Sequence, residues 1–546
     1  MRLVERRIGL LFAVFLALLG MAAVRAVWIG TVRAGSLKER AVTQQEEDLA
    51  VSAKRGTIFD RNGLELAVSE DAITVFANPF LIDAPAKVAE QLAPLLDLPE
   101  DDLLRKLSDH KRGFVYLRRK MDAWAGHKVQ RLEIEGVGTL TEPKRSYPQG
   151  WLAAQVLGSV GTDNDGLSGL EYSRDEELRG SDGRRRLVKD ALGEPVSMVE
   201  VERASPGENL RLTIDAAIQE RTEQVLGEVG TTWRPKGATA LVLDPRTGAV
   251  LALANWPRVN ANDPGGSPGW ARRDRSVAVS YEPGSTFKAF TVSGALQDGA
   301  IEPDTPFELP PELHVADRVI GEAHDRGQIT LRVDEILAQS SNVGSVMIGL
   351  KLGARKFDRW VHRFGFGRPT GIDLPGEQQG IVPTYADYSG SSIGNLPIGQ
   401  GLAVTPMQMA KAYTAIANHG LMRSPYIVAG ERRPGRRVLS RSTADEVSRM
   451  LEGVLGPGGT AQEAQVEGYK LAGKTGTAEK PDGKGGYSKT KFVASFIGYA
   501  PARNPRLLVA VMVDEPQGDI YGGTVAAPAF ESIAEFALPY LRIPPG

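Results

Sequence analysis

The chain has 546 residues, 42% of them hydrophobic, and 65 basic against 67 acidic side chains leave a formal net charge of −2. That balance excludes a polybasic nucleic-acid binder and a disordered acidic tail, and the length suits two or three folded domains. With no cysteines there are no disulfides or thiolate metal sites, and the 6 histidines fall far apart without ligand spacing, so neither a metal nor a cofactor is expected.

Residues 8–24 form an apolar run that continues, after Arg25, through Ala26-Val27-Trp28-Ile29. With Arg25 snorkelling and Trp28 as an interfacial anchor, the segment is predicted to span a bilayer once. Arg2, Arg6 and Arg7 favour a cytoplasmic N-terminus; the competing reading is a signal peptide cleaved near Val24-Arg25-Ala26. Residues 30–54 read as a polar stalk. From Arg55 the pattern changes to short alternating strands such as 72–77, with helices predicted over 86–93, between Pro85 and Pro94, and over 101–107. No catalytic constellation appears before Pro206. The chain therefore divides into an anchor (1–30), a non-catalytic mixed α/β pedestal (31–206) and a catalytic module (207–546) beyond the Ser205-Pro206-Gly207 boundary.

In the third module Asp215 is predicted to cap a helix running to about Val229. Strands follow over 238–243 and 249–254, joined by the turn Asp244-Pro245-Arg246-Thr247-Gly248. Three more strands, over 469–477, 492–499 and 506–513, lie far away in sequence. They predict a five-stranded antiparallel sheet assembled from both ends of the module. Helices over 286–296, 333–352, 354–364, 407–418 and 444–455 are inserted between, the last with capping boxes from Ser442 to Asp445 and Thr443 to Glu446. Residues 481–487 form a polar loop that reads either as a lid or as plain surface.

Three short motifs fall on these elements. In Glu282-Pro283-Gly284-Ser285-Thr286-Phe287-Lys288 the Pro-Gly turn starts a helix near Ser285, so the Ser285 hydroxyl and the Lys288 amine share a face in its first turn. An amine whose pKa is lowered by burial can take the proton of an attacking serine. Alone, the pair also reads as a cap beside a solvated lysine. Ser340-Ser341-Asn342, however, stands at a junction between an amphipathic segment and the apolar run 343–352, with Ser341 packing. Lys474-Thr475-Gly476-Thr477 reads as an edge strand whose glycine lets a substrate backbone approach. In this order the three form the set common to penicillin-binding proteins and serine β-lactamases.

The chain thus resembles the class B penicillin-binding proteins, and within them the division-specific FtsI type. Arg55-Gly56-Thr57-Ile58-Phe59-Asp60-Arg61-Asn62-Gly63, Gly169-Leu170-Glu171 and Lys189-Asp190 resemble marks of the family's non-catalytic module. Asp514-Glu515-Pro516, Tyr521-Gly522-Gly523 and Ala526-Ala527-Pro528 resemble the division branch. The resemblance implies an α+β penicilloyl-serine transferase fold and a peptidoglycan D,D-transpeptidase of septal wall synthesis that β-lactams acylate. It implies Ser285 as nucleophile, Lys288 as general base, Ser340 as proton relay and Asn342 as the residue that positions Lys288 and the substrate amide. Lys474 would supply positive field, Thr475 and Thr477 would bind the substrate carboxylate beside Gly476, and the N–H groups of Ser285 and Thr477 would form the oxyanion hole. Expected partners are stem peptides, an FtsW-type glycosyltransferase and other divisome membrane proteins, with the catalytic module outside the cytoplasmic membrane. Other readings are the elongation-specific branch, a β-lactamase, a β-lactam sensor and a scaffold without turnover.

Overall fold

The computed structural model describes residues 2–31, 46–189, 195–483 and 486–545. Most of the expected stalk, Asp190, and residues 484–485 of the expected lid lie outside them. The unbroken apolar composition of the N-terminus gives one helix, Arg2–Thr31. From Arg7 to Thr31 it is long and apolar enough to cross a membrane, and none of it is buried against protein.

Two compact units account for the chain, and they interleave along it. One holds Met1–Lys54, Glu70–Lys144 and Gly180–Gly207; the other holds Arg55–Ser69, Arg145–Arg179 and Glu208–Gly546. In the first, the later half of strand Glu65–Ala77 pairs antiparallel with Val115–Met121. Helices Pro85–Leu96 and Glu100–Leu107 close a core of Val75, Leu92, Leu96, Leu103 and Leu107. Pro94 does not end its helix as expected. It removes one amide donor, but burial of Val88, Leu92 and Leu96 holds the last turn until Asp97 turns left-handed at φ 51°. Gly183–Lys189, with its Arg184-Arg185-Arg186 run, is the middle strand of a three-stranded sheet between Glu46–Val51 and Pro195–Glu202.

In the second unit Asp215 accepts the amides of Ala217 and Ile218 and starts α1 (Ala216–Trp233). Strands β1 (Gly237–Leu243) and β2 (Val250–Trp256) are joined by a turn in which the Asp244 carboxylate accepts the Arg246 N–H. The inserted helices include α2 (Lys288–Gln297), α3 (Asn342–Leu352), α4 (Pro406–Ala417) and α5 (Arg441–Glu452). Strands β3 (Ala472–Pro481), β4 (Tyr487–Ala500) and β5 (Leu507–Asp514) then complete the sheet, and α6 (Ala527–Tyr540) follows. The order is β2-β1-β5-β4-β3, antiparallel throughout, with β3 at the edge as expected. Every residue of β1 and β5 is buried, so both faces of the sheet are covered; α1 and α6 pack together on it, and the inserted helices form a separate group.

Helix boundaries differ from expectation at Ser340 and at Ser440 as well. The stretch 333–352 is two helices, Val333–Ala338 and α3, because Ser340 adopts a left-handed φ of 60°. Neither Ser442 nor Thr443 opens α5: Ser440 lies one residue before it and its hydroxyl takes the Thr443 amide, so both expected caps fall inside the first turn.

Segments Arg55–Ser69 and Arg145–Arg179 are held in this unit by a buried ion cluster. Glu171 accepts Arg55 Nε at 2.9 Å and Arg145 Nε at 2.6 Å, and Arg55 Nη1 also reaches Asp175 at 2.6 Å. Removing one partner of a buried pair strands the other's charge. Glu171→Ala is therefore expected to destabilise the protein by about 3–5 kcal/mol, seen as a lowered denaturant midpoint.

Candidate active site

The Pro283–Lys288 turn is fixed from several sides before any catalytic group is considered. Gly284 sits at φ 53°, its N–H donates to the Gly399 carbonyl at 3.1 Å, and a Cβ on Gly399 would lie 2.2 Å from the Gly284 carbonyl oxygen. The Thr286 carbonyl accepts the buried Tyr413 hydroxyl of α4 at 2.7 Å. Beneath it, Phe287 packs on Phe290 and Phe366 with ring centroids 5.4 and 5.1 Å away, and Phe290 meets Tyr413 edge-on. Residues Gly284–Phe287 form a tight 3₁₀ turn that leads into α2, so Ser285 stands half-buried just ahead of the helix that starts at Lys288.

Lys288 is fully buried. Its Nζ donates to the Ser340 carbonyl at 2.6 Å and to Asn342 Oδ1 at 2.6 Å, with the Ser340 hydroxyl at 3.3 Å. The carbonyl is free to accept because the chain breaks helix at Ser340. Asn342 presents its oxygen because its Nδ2 donates to the Gly321 carbonyl at 3.0 Å. Both close partners only accept. A neutral amine has two hydrogens, so these partners use both and leave its lone pair for an incoming proton. Burial lowers the Lys288 pKa to about 7, against the opposing negative charge of Glu322.

Lys474 is buried as well, and its Nζ donates to the Thr475 carbonyl at 3.2 Å and to its hydroxyl at 3.3 Å. Burial first, and the charge of Lys288 second, push its pKa well below the ordinary lysine range. The two lysines thus disfavour each other's charge, and an arriving anion would favour that of Lys474.

Gly476 is where β3 lies on the Ser285 turn. A Cβ there would stand 2.4 Å from Ser495 Oγ, 2.9 Å from Thr286 Cγ2 and 3.1 Å from the Pro283 carbonyl oxygen. The missing side chain thus lets the strand lie against the Pro283–Thr286 turn. Thr475 Oγ1 is 2.6 Å from Thr460 Oγ1, and Thr477 Oγ1 accepts the Gly522 N–H at 3.2 Å. Gly522 also abuts β3, since a Cβ on it would be 2.4 Å from the Gly476 carbonyl oxygen. The Tyr521-Gly522-Gly523 segment therefore backs the strand.

Lys288, Ser340 and Asn342 meet directly, and Thr475 and Thr477 lie on the strand that rests on the Ser285 turn. Ser341 is buried, as expected, and also caps α3 by accepting the Gly344 amide at 2.9 Å while donating to Glu322 at 2.6 Å. Glu322, Tyr413 and Thr460 escaped the sequence reading, because none lies in a motif or at a telling spacing. Among the described residues no group of three His, Asp or Glu side chains could hold a metal.

The family model for the penicillin-binding protein transpeptidase domain matches residues 238–535, and that for the penicillin-binding protein dimerisation domain matches 50–212. The chain is 33% identical to the probable peptidoglycan D,D-transpeptidase PenA of Neisseria gonorrhoeae, over 99% of this chain and 93% of that protein. It is 31% identical to the peptidoglycan D,D-transpeptidase FtsI of Escherichia coli K12, over 99% and 92%. The crystal structure of penicillin-binding protein 3 of Mycobacterium tuberculosis complexed with aztreonam superposes with a TM-score of 0.72 at 30% identity, covering 91% of this chain and 98% of that one.

Because three hard contacts surround the Gly476 position, Gly476→Ala is expected to part β3 from the Ser285 turn. A cost of about 1–3 kcal/mol, read as a lowered thermal midpoint, is the expected result.

Proposed function

The chain belongs to the class B penicillin-binding proteins, and from that premise we propose the roles of its site residues and its place in the cell. It is a peptidoglycan D,D-transpeptidase, as its relatives are named. The observation that supports the catalytic reading is the Lys288 amine, buried and held by two close acceptors beside the Ser340 hydroxyl.

Neutral Lys288 accepts the Ser285 proton as Ser285 Oγ attacks the carbonyl carbon between the two D-alanines of a stem peptide. The oxyanion is held by the N–H groups of Ser285 and Thr477, donors aimed at the charge that develops. As the tetrahedral adduct collapses, Ser340 relays the proton from Lys288 to the leaving D-alanine amine. Asn342 keeps Lys288 in place throughout. The substrate carboxylate lies at Thr475 and Thr477, beside Gly476, and its negative charge lets Lys474 become an ammonium. An amine of a second stem peptide then attacks the acyl-enzyme and restores Ser285. A β-lactam follows the first half of this path and stays attached.

The helix over Arg7–Thr31 supports a single-pass anchor in the cytoplasmic membrane with the transpeptidase module outside; of the pedestal expected over 31–206, segments 55–69 and 145–179 belong to the compact unit that carries the transpeptidase module, 207–546. The likeness to FtsI and the Tyr521-Gly522-Gly523 segment support a role at the division septum beside an FtsW-type glycosyltransferase and other divisome membrane proteins.

Covalent labelling by a fluorescent penicillin tests the roles. Lys288→Arg cannot supply a neutral base, so its acylation rate is expected to fall by about 10²–10⁴-fold; a rate near that of the unaltered protein would remove Lys288 from the mechanism. The unprotonated fraction of Lys288 grows as pH rises. The unaltered protein should therefore acylate faster as pH rises toward about 7 and level off above it. A rate independent of pH between 5 and 9 would contradict this.

A further inference from the structure

The chain folds a hairpin, Glu312–Val315 with Arg318–Gly321, whose last strand delivers Glu322 to the N-terminal end of α3. The Glu322 side chain is only 8% exposed. Its carboxylate accepts the Asn342 N–H at 2.7 Å, the Val343 N–H at 3.2 Å and the Ser341 hydroxyl at 2.6 Å. These are donors that a helix start leaves open, and the helix dipole favours an anion there. Arg326 forms an ion pair with the same carboxylate and donates to Ser341 Oγ at 3.0 Å.

The placement reaches further than a cap. Residue 322 holds the backbone of Asn342 while its chain neighbour Gly321 takes the Asn342 side-chain amide, so one two-residue segment sets both the position and the orientation of the oxygen that meets Lys288. The Ser340 carbonyl, the other acceptor of Lys288, lies two residues before Asn342 in the same held turn. We infer that Glu322 is a positioning residue of the proton-transfer centre, orienting Asn342 and Ser340 toward Lys288 and holding a negative charge near it. Arg326 offsets part of that charge.

This inference rests on the reading of Lys288 as general base. The charged groups on this side of Lys288 are Glu322 from the hairpin and Arg326, paired to it; the amine of Lys474 on β3 has its own pKa pushed well down, and Ser340 and Asn342 are neutral. Loss of a nearby negative charge makes the ammonium form of Lys288 less favourable, whereas loss of Arg326 makes it more favourable.

The test is the penicillin acylation rate of the full chain in detergent from pH 5 to 9, for the unaltered protein, Glu322→Gln and Arg326→Ala, with thermal midpoints measured alongside. Glu322→Gln is expected to move the midpoint of the acid limb down by about half to one pH unit and to lower the plateau rate severalfold. Arg326→Ala keeps the carboxylate and its three other donors, and is expected to move that midpoint up. If Glu322→Gln does not fold, Arg326→Ala still reads the same quantity with the opposite sign. A role confined to capping α3 would lower thermal midpoints and leave the acid limb where it was. An unmoved limb, or a shift opposite to either expected sign, would overturn the inference. No acylation of the unaltered protein at any pH would instead overturn the reading of the site, and this inference with it.

Discussion

The burial of one amine governs this site. Taking the Lys288 side chain out of water lowers its pKa from 10.5 to about 7, which is on the order of 5 kcal/mol against the charged form. That desolvation disfavours the ammonium form, the condition a lysine must meet to serve as a base near neutral pH. Its close companions carry no charge: the two short contacts are a carbonyl and an amide oxygen, and Glu322, whose charge acts on it, is paired to Arg326. Lys474, also buried, has its own pKa pushed well down by burial and by the charge of Lys288.

The rest of the second unit can be seen as the support this arrangement requires. The sheet closes from both ends of the module, so β3 is its edge strand and lies on the Ser285 turn with one side free. Glycines at 399, 476 and 522 allow close approach where a side chain would collide, and Gly284 takes a left-handed φ of 53°. Below the turn the aromatic cluster of Phe287, Phe290, Phe366 and Tyr413 fixes α2, which is what a base on its first residue demands. Ser340 in the left-handed region stores strain on the order of 1–3 kcal/mol, and the Lys288 and Glu322 hydrogen bonds on either side hold it there.

The chemistry was legible because it is written locally. Ser285 and Lys288 lie within one turn, Ser340 and Asn342 within one junction, and Lys474 to Thr477 on one strand, so residue type and order carried the family and named the candidate site. The five strands were legible from apolar runs, and the edge position of β3 from its polar motif. Long-range pairing left no such trace. Arg55 meets Glu171 116 residues away, so the interleaving of the two units could not be seen in the order of segments. Glu322 meets the Asn342 backbone only when a hairpin folds it onto α3, and the close packing of Gly476 on the Ser285 turn shows only in the folded chain. Boundaries failed where one residue decided them: Ser340 breaks a continuous apolar pattern, and Ser440 takes the capping amide before the expected serine and threonine.

The account stands on Ser285 being the atom that attacks. Its most direct test is to treat the protein with benzylpenicillin, digest it, and locate the penicilloyl group by tandem mass spectrometry. One modified site, on the Ser285 side chain, is the predicted result. A penicilloyl group on Ser340 or any other residue, or a folded protein that takes up none, would contradict it.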